Sequence, residues 1–299
     1  MAARANPWIA SPLTGFDAYR GRGWRAFALA ATALALAAMV AVRALQGGGG
    51  AATGGALSAR IGSAVPQAFM SRLRDAAFGT LDYTGGADPV SLGVRVSRAA
   101  GAVVDGPRML YVGAEFCPYC AAERWSLVLT LLRFGRLSGL RYMASSATDQ
   151  FPNTPTFTFY GADYTSPYLR FTSVETAGRS PTTPLQPLRG QPLKTFRKYD
   201  NTPYVPSQAA GQIPFLDVAD RYVWVGAPLL PDQIQHETWD QILRGLAAVG
   251  RGGSANANIG SIVRAANIFT AAVCSADGGQ PAAVCSAPGV VAAKGGLPR

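Results

Sequence analysis

The sequence predicts an α/β fold in which a pair of cysteines opens a helix directly after a buried strand. An apolar run at 109–112 precedes the segment Cys117-Pro118-Tyr119-Cys120, and an apolar helical pattern follows that segment at once. Farther along, two short apolar runs are separated by a tight turn at Ala219-Asp220, which is typical of a β-hairpin. Strands and helices therefore share one region of the chain, which defines the α/β class.

The elements around the cysteines follow from hydrophobic spacing. Residues 65–78 predict a short amphipathic helix, and residues 91–104 alternate apolar and polar positions before a turn. Residues 107–114 predict a buried strand, 118–134 a helix with a wide apolar face, and 140–145 the next strand. The predicted order is strand, dithiol, helix, strand.

The second half of the chain is less regular. Residues 153–172 are rich in Thr, Tyr and Phe, which favours extended structure. Residues 178–211 hold six prolines, with a short helix predicted at 193–199. Residues 212–218 and 221–225 predict the two hairpin strands, and helices are predicted at 231–249 and 256–273. A long Pro-rich insertion therefore lies between the dithiol half and the hairpin.

The chain divides into five predicted segments. Residues 1–25 form a cytoplasmic tail, 26–42 a transmembrane anchor, 43–56 a Gly-rich linker, 57–287 the folded domain and 288–299 a flexible tail. Residues 26–42 carry no charge, and as a helix they rise about 26 Å, close to the roughly 30 Å of a bilayer core. The linker contains consecutive glycines, which lose too much entropy on ordering.

Arginines set the predicted orientation of this anchor. Arg20, Arg22 and Arg25 precede the apolar segment and only Arg43 follows it closely, so the positive-inside rule places the N-terminus in the cytoplasm. We expect a single-pass protein of the cell membrane with an extracytoplasmic C-terminal domain. A cleavable signal peptide is one alternative, and a buried helix of a soluble protein is another. Anchor and signal peptide agree on the extracytoplasmic location.

The charge balance argues against nucleic acid as a partner. The formal net charge is +10, with 27 Lys and Arg against 17 Asp and Glu. These basic residues are scattered, whereas nucleic-acid binding needs a clustered patch. We expect no nucleic-acid partner, and we expect the lipid bilayer to be contacted through residues 26–42.

The cysteine pair predicts thiol–disulfide chemistry. A sulfur at a helix N-terminus meets backbone N–H groups and the positive end of the helix dipole, which favour the thiolate. Cys117 is therefore the predicted nucleophile, and Cys120, one turn along, is the predicted resolving thiol. Pro118 and Tyr119 between them are expected to tune the thiolate and contact the substrate. Glu115 either relays a proton and raises the thiol pKa, or is an ordinary surface residue.

The order of elements resembles the thioredoxin fold. In that superfamily a cis-proline opens the first strand of the C-terminal hairpin and faces the dithiol, and Pro214 stands at the matching position. The resemblance implies that Pro214 belongs to the catalytic site with Cys117 and Cys120. It also implies that the backbone of Ile213 pairs with an extended segment of the substrate.

Three segments resemble a family described as domain of unknown function 929 (DUF929). They are residues 113–125 around the dithiol, the stretch Phe151-Pro152-Asn153-Thr154-Pro155-Thr156-Phe157, and the closing segment from Cys274 to Cys285. The resemblance spans roughly residues 57–287. It implies a thioredoxin-like domain with redox activity, in a family common among bacteria and archaea with membrane-anchored redox proteins. It does not imply a particular substrate.

Cys274 and Cys285 form a second pair. Outside the cytoplasm a structural disulfide is the expected state, and a shuttle pair that relays electrons to the dithiol is the alternative. A four-cysteine zinc site is a further alternative, although the second pair lacks the Cys-x-x-Cys spacing.

His236 is the only histidine, and we expect a surface or packing role for it. We expect no metal and no cofactor.

Together these observations predict a membrane-anchored, extracytoplasmic thiol–disulfide oxidoreductase that acts on proteins carrying thiols or disulfides. A redox partner in the membrane is a further expected partner. The alternative is a non-catalytic thioredoxin-like module for binding or assembly, whose disulfides are structural. The direction of the redox reaction is set by the reduction potentials of the dithiol and of its partner.

Overall fold

A five-stranded mixed sheet forms the centre of the fold. The computed structural model describes residues 58–86, 93–96, 106–253 and 256–297. The sheet has the order β1-β9-β8-β2-β7, with strands β1 (Val94–Arg95), β2 (Arg108–Gly113), β7 (Arg170–Glu175), β8 (Phe215–Val218) and β9 (Tyr222–Val225). Two small antiparallel sheets pair β3 (Arg136–Ser138) with β6 (Asp163–Thr165) and β4 (Arg141–Ala144) with β5 (Pro155–Thr158). The predicted α/β class is confirmed.

β2 is an inner strand whose two neighbours differ in direction. It pairs in parallel with β7 and antiparallel with β8. β8 and β9 form the predicted hairpin, and its turn residues Ala219 and Asp220 have φ angles of 59° and 53°. Positive φ at both positions matches the turn to the right-handed twist of the flanking strands.

The parallel partner of β2 is not the next strand along the chain. Residues 140–145 do form a strand, β4, but β4 pairs with β5 outside the central sheet. The strand beside β2 is β7, which follows β2 in the chain only after α2 and the strands of the two small sheets. The chain therefore carries an insertion before β7 in addition to the predicted one before the hairpin.

Helices cover both faces of the central sheet. Those of the described part are α1 (Gln67–Gly79), α2 (Pro118–Phe134), α3 (Gly190–Tyr199), α4 (Trp239–Gly250), α5 (Ala257–Ala276), α6 (Ala282–Cys285) and α7 (Pro288–Ala293), with 3₁₀ turns at Pro231–Gln233 and Lys294–Gly296. Met109 and Tyr111 of β2 join the large core that includes residues of α1, α2, α4 and α5, whereas Leu110 and Val112 join a smaller core with Tyr199 of α3. Both faces of β2 are thus buried, which explains its continuous apolar run.

Helix α2 is the central helix, and it runs parallel to α5. Every residue of α2 except Tyr119 is buried. Three of its side chains donate hydrogen bonds to α5: Ser126 to the Ile262 carbonyl (3.0 Å), Thr130 to the Ala266 carbonyl (3.2 Å) and Arg133 to the Thr270 hydroxyl (2.7 Å). Residue numbers rise together on the two helices, so they point in the same direction.

The helix predicted at 231–249 begins later than the spacing indicates. The structure has only a 3₁₀ turn at Pro231–Gln233, and α4 starts at Trp239. Thr238 is the N-cap: its hydroxyl accepts from the Gln241 N–H (3.2 Å), and the Gln241 side chain accepts from the Thr238 N–H (2.7 Å). This reciprocal capping box fixes the helix start.

The C-terminal segment differs from the flexible tail that the sequence predicts at 288–299. Residues Pro288–Ala293 form α7, and Val290 and Ala293 are fully buried. The Gly289 N–H donates to the Leu81 carbonyl (3.0 Å), and a Cβ at Gly289 would lie 2.4 Å from the Tyr83 carbonyl oxygen. A glycine at this position therefore lets α7 dock against the end of α1.

The predicted tail, anchor and linker at 1–25, 26–42 and 43–56 lie outside the described residues. Within the described part, α5 is long and apolar enough to cross a membrane by length and composition, but 83% of its most apolar window is buried inside the protein. Such burial is typical of a core helix, and α5 packs on α2 as one.

Candidate functional site

The dithiol lies where the end of β2 meets the start of α2. The Gly113 carbonyl accepts hydrogen bonds from the N–H (2.7 Å) and the hydroxyl (2.9 Å) of Thr176, which ties this junction to the segment after β7. Cys117 is the N-cap residue of α2, and Pro118 occupies the first turn, where a missing N–H is tolerated. The predicted strand–dithiol–helix order is present.

Cys117 is placed to act as a thiolate. It is 6% exposed, and its sulfur accepts a hydrogen bond from the Cys120 N–H (3.3 Å). The pKa of the Cys117 thiol is lowered, first by a hydrogen bond from the Cys120 thiol; burial opposes this shift, and the N–H groups of Cys120 and Tyr119 and the Arg124 guanidinium support it. These are the groups that a helix N-terminus supplies, together with one nearby cation.

Cys120 has the opposite character. It is fully buried, and its pKa is raised well above the ordinary value, first by burial and then by the neighbouring Cys117 sulfur. Both cysteines are free thiols in the structure. The shared proton therefore stays with Cys120, and Cys117 is the thiol that ionises more readily.

The start of the hairpin faces the dithiol. The peptide bond between Ile213 and Pro214 is cis, Pro214 is buried and Ile213 is half-buried. The Cys117 sulfur lies 3.9 Å from the Ile213 carbonyl oxygen. The structure thus brings together Cys117, Cys120, Ile213 and Pro214, which lie far apart in the sequence.

Aromatic side chains form the rim of the site. The Tyr119 ring packs edge-on against Phe151, with ring centroids 5.9 Å apart. The loop that carries Phe151 is held at the dithiol by a hydrogen bond from the Ser146 N–H to the Phe116 carbonyl (2.8 Å). Arg179 also fixes this loop, since its Nε donates to the Ser145 carbonyl (3.1 Å). Tyr119 acts on the Cys117 sulfur through its backbone N–H, and the residue is half-buried.

A buried ion pair links α2 to β7 behind the dithiol. Arg124 donates to both carboxylate oxygens of Glu175, at 2.9 and 2.7 Å, and to the Ala114 carbonyl at 2.8 Å. Both charged side chains are fully buried, so the bidentate geometry compensates for their desolvation. Burial lowers the Arg124 pKa, but the Glu175 carboxylate, Tyr111 and Cys120 together more than offset this effect, and the net shift is upward. The Arg124 guanidinium therefore stays protonated.

Glu123 is a buried carboxyl group to which the sequence analysis assigns no role. It is fully buried, and neither of its oxygens has a hydrogen-bond partner within the described residues. Burial raises its pKa well above the usual range, with Arg124 opposing the rise and Cys117 adding to it. It lies one helical turn beyond Cys120. The only signal in the sequence is a charge placed inside the apolar pattern that follows the dithiol.

Glu115 is not a surface residue. It is 6% exposed, and its pKa is raised by burial, with a hydrogen bond to the Thr158 hydroxyl opposing the shift and Glu175 adding to it. Glu115 is not among the groups with the largest effects on the Cys117 pKa. Its electrostatic partners are therefore Thr158 and the Arg124–Glu175 pair.

The second cysteine pair lies at the other end of the parallel helices. A disulfide joins Cys274, in the last turn of α5, to Cys285, with 5.6 Å between their Cα atoms. Cys274 follows Thr270, which is level with Arg133 near the end of α2. Arg133 is about 20 Å along α2 from Cys120, at 1.5 Å per residue. Direct exchange between the two pairs does not occur in this arrangement, which favours the structural over the shuttle interpretation.

The described residues contain no group of three or more His, Cys, Asp or Glu side chains that could hold a metal ion. His236 is exposed and lies in the irregular segment before α4, not on a helix.

The fold and site define a class: α/β proteins with an asymmetric pair of thiols at a helix N-terminus, opposite a cis-proline. A family model described as Domain of unknown function (DUF929) matches residues 94–275, which is more than half of the chain. The protein belongs to this family. The matched region contains the dithiol, the hairpin and most of α5. No curated protein and no solved structure matches the chain.

Proposed function

We propose that the protein is a thiol–disulfide oxidoreductase that acts on protein substrates. One observation carries the proposal: the pKa of Cys117 is lowered while that of Cys120 is raised, at the start of a helix. A purely structural cysteine pair has no need of this difference, whereas exchange chemistry needs one thiolate and one proton-bearing thiol.

The proposal includes a thioredoxin-like arrangement of the domain. It is supported by the position of β2 between a parallel neighbour, β7, and an antiparallel hairpin, β8–β9. The cis-peptide of Pro214 at the start of that hairpin, facing Cys117, is the feature that the thioredoxin resemblance implies.

The proposed reaction has two exchange steps. In the first, the Cys117 thiolate attacks one sulfur of a substrate disulfide, which forms a mixed disulfide and releases the other substrate sulfur as a thiolate that takes up a proton. In the second, Cys120 gives up its proton and attacks the Cys117 sulfur, which forms the Cys117–Cys120 disulfide and releases the second substrate thiol. The substrate gains two electrons and the dithiol loses two. The same steps in reverse oxidise a substrate dithiol.

The substrate is proposed to be an extended polypeptide. The half-buried Ile213 offers its backbone beside the Cys117 sulfur, and Tyr119 and Phe151 offer aromatic rims. An extended segment can pair with such a backbone, as in strand addition. A dithiol or disulfide partner, proposed to reside in the membrane, returns the cysteines to their starting state.

Trapping of mixed disulfides tests the activity. The Cys120→Ala variant of the full-length chain keeps the nucleophile and lacks the resolving thiol, so it should accumulate disulfide-linked proteins through Cys117 in cells. The matched Cys117→Ala variant should accumulate none. The measurement is non-reducing electrophoresis, followed by peptide mapping of the linked cysteine.

Two results would contradict the proposal in different ways. Trapping by Cys117→Ala but not by Cys120→Ala would reverse the two roles. Absence of trapping in both variants, together with no insulin reduction by the native chain, would favour the non-catalytic binding or assembly module.

The location is part of the proposal. The charge asymmetry around residues 26–42 favours a cell-membrane anchor with a cytoplasmic N-terminus and an extracytoplasmic domain. A reporter that is active only in the cytoplasm should stay silent when fused after Arg299, whereas the same reporter fused before residue 26 should be active. A signal from the C-terminal fusion would refute this topology.

A further inference from the structure

A large cavity lies at the end of α2 that is remote from the dithiol. Its volume is about 830 Å³, and it is enclosed by α1, the last residues of α2, β3 and the segment 281–284. The dithiol is at the first turn of α2, and a 17-residue helix is about 25 Å long. The cavity is therefore separate from the proposed redox site.

Most of the cavity wall is apolar. Val65, Met70, Leu137, Leu140 and Val284 line it, and Phe78 beside them is 40% exposed. Cavities of 300–1,000 Å³ with such walls are the size of small-molecule sites.

The charged groups at this cavity are all cationic. Arg74 and Arg136 line it, and the lining residues in the described part of the chain include no Asp or Glu. The Arg74 guanidinium lies over the Phe78 ring, 5.4 Å from its centroid, and makes one hydrogen bond, to the Gly135 carbonyl (3.3 Å). Arg136 has no ion-pair or hydrogen-bonding partner for its side chain among the described residues. Both guanidinium groups thus have donors free for an anion.

A third arginine of the lining strengthens the positive field at the cavity. Arg133 is 2% exposed and donates to the Ala77 carbonyl (3.0 Å), the Thr270 hydroxyl (2.7 Å) and the Thr80 hydroxyl (3.2 Å). None of these partners is charged, and burial lowers the Arg133 pKa to about 9. A buried cation without a counter-ion is costly, and an anion in the adjacent cavity would offset part of that cost.

We propose that this cavity binds an aliphatic chain that ends in a carboxylate, such as a free medium- or long-chain fatty-acid anion. The chain would lie on the apolar wall between Met70 and Val284, and the carboxylate would pair with Arg74 and Arg136. An apolar wall alone would accept any hydrocarbon, and the arginines alone would accept any anion. The combination selects an amphiphile of negative charge.

A second cavity supplies a matched control. It has a volume of about 290 Å³ and is lined by Arg72, Asp75, Arg244, Ala247 and Arg251. It holds three arginines, of which Arg72 lies on α1, but Asp75 supplies a negative charge and Ala247 is the only apolar residue of the lining.

The test is photolabelling of the full-length chain in phosphatidylcholine nanodiscs with a diazirine analogue of dodecanoate. Labelled peptides should come from α1 and β3 around the cavity. Labelling there should fall at least tenfold in the double variant Arg74→Ala with Arg136→Ala, and should not change in Arg72→Ala with Arg244→Ala. Excess dodecanoate should compete, and dodecyltrimethylammonium should not.

A steric variant covers the case in which loss of two arginines prevents folding. Ser71 lines the cavity and is exposed, so Ser71→Trp should fill the space without a change of charge and should cause the same loss of labelling. The proposal is overturned if cavity labelling persists in both variants, if the cationic amphiphile competes equally, or if label appears only outside the cavity. It is also overturned if a photoreactive phosphatidylglycerol labels the cavity and dodecanoate does not, since the occupant would then be a membrane lipid.

Discussion

The two thiols of the dithiol have opposite pKa shifts because they lie one helical turn apart, in different surroundings. Cys117 caps α2 and meets its N–H groups, whereas Cys120 lies within the helix and meets only buried groups. Burial raises the pKa of Cys120 well above its ordinary value. Resolution of a mixed disulfide therefore needs a group that removes the Cys120 proton at neutral pH.

Glu123 is the expected proton acceptor. Burial raises its pKa, which makes the Glu123 carboxylate a stronger base than an exposed one. In Glu123→Gln we expect resolution of the mixed disulfide to slow by about 100-fold at pH 7, the lower end of the usual range for loss of a general base. The deficit should shrink as pH rises, because solvent then deprotonates Cys120 directly. The measurement is the rate of the second step against pH, in rapid-quench experiments with a small disulfide.

The matched control for this prediction is Glu115→Gln. Glu115 is also a buried carboxyl with a raised pKa, but Thr158 and Glu175 are its neighbours. This control should leave the pH dependence of resolution unchanged. A loss in Glu123→Gln that is the same at every pH would show that Glu123 is only structural.

Residue type and spacing predict the position of Cys117 and Cys120 at a strand–helix junction, and the thioredoxin resemblance predicts the cis peptide at Pro214. Glu123 and Arg124 could not be predicted in the same way. Adjacent charges on a helix usually face solvent, and here they are buried because α2 is covered on all sides by α1, α5 and the sheet.

Some helix ends could also be predicted from the sequence, and others could not. α2 matches its predicted bounds because Cys117 caps it and Gly135 ends it. The start of α4 was missed since hydrophobic spacing continues upstream of Thr238, and only the capping hydrogen bonds stop the helix there. The pairing of β2 with β7 is set by a long-range contact that no local pattern reports.

The disulfide between Cys274 and Cys285 should stabilise the junction of α5 and α6 without a part in exchange chemistry. Closing a loop of about a dozen residues contributes roughly 3 kcal/mol in the chain-entropy model. The double variant Cys274→Ser with Cys285→Ser should lower the thermal midpoint by roughly 6–12 °C for a domain of this size. Turnover of a small disulfide below the transition should be retained. An unchanged midpoint with lost turnover would instead support the shuttle role.

Buried carboxyl groups give the whole molecule a characteristic response to pH. In the described part of the chain, each carboxyl with a resolved shift has a raised pKa: Glu115, Glu123, Asp200, Asp217 and Asp277. Burial is the first cause in every case. A group whose folded pKa exceeds its unfolded pKa contributes most stability at low pH and loses it as pH rises through the folded pKa. The free energy of unfolding should therefore fall between about pH 4 and pH 7.

Asp217 should account for a large share of that fall. It is fully buried in β8, and burial, with the Asp220 charge adding to it, raises its pKa from 3.8 to about 7, although Arg108 lies 3.5 Å away. Its stabilising contribution is present below pH 3.8 and lost by about pH 7, with an upper limit of about 4 kcal/mol at about 1.4 kcal/mol per tenfold change in proton affinity. Asp217→Asn should flatten the dependence of denaturant midpoints on pH in this window. Asp232 is exposed, so Asp232→Asn serves as the control and should leave the pH dependence of the denaturant midpoint unchanged. Equal slopes for Asp217→Asn and the native chain would show that Asp217 remains ionised in the folded protein.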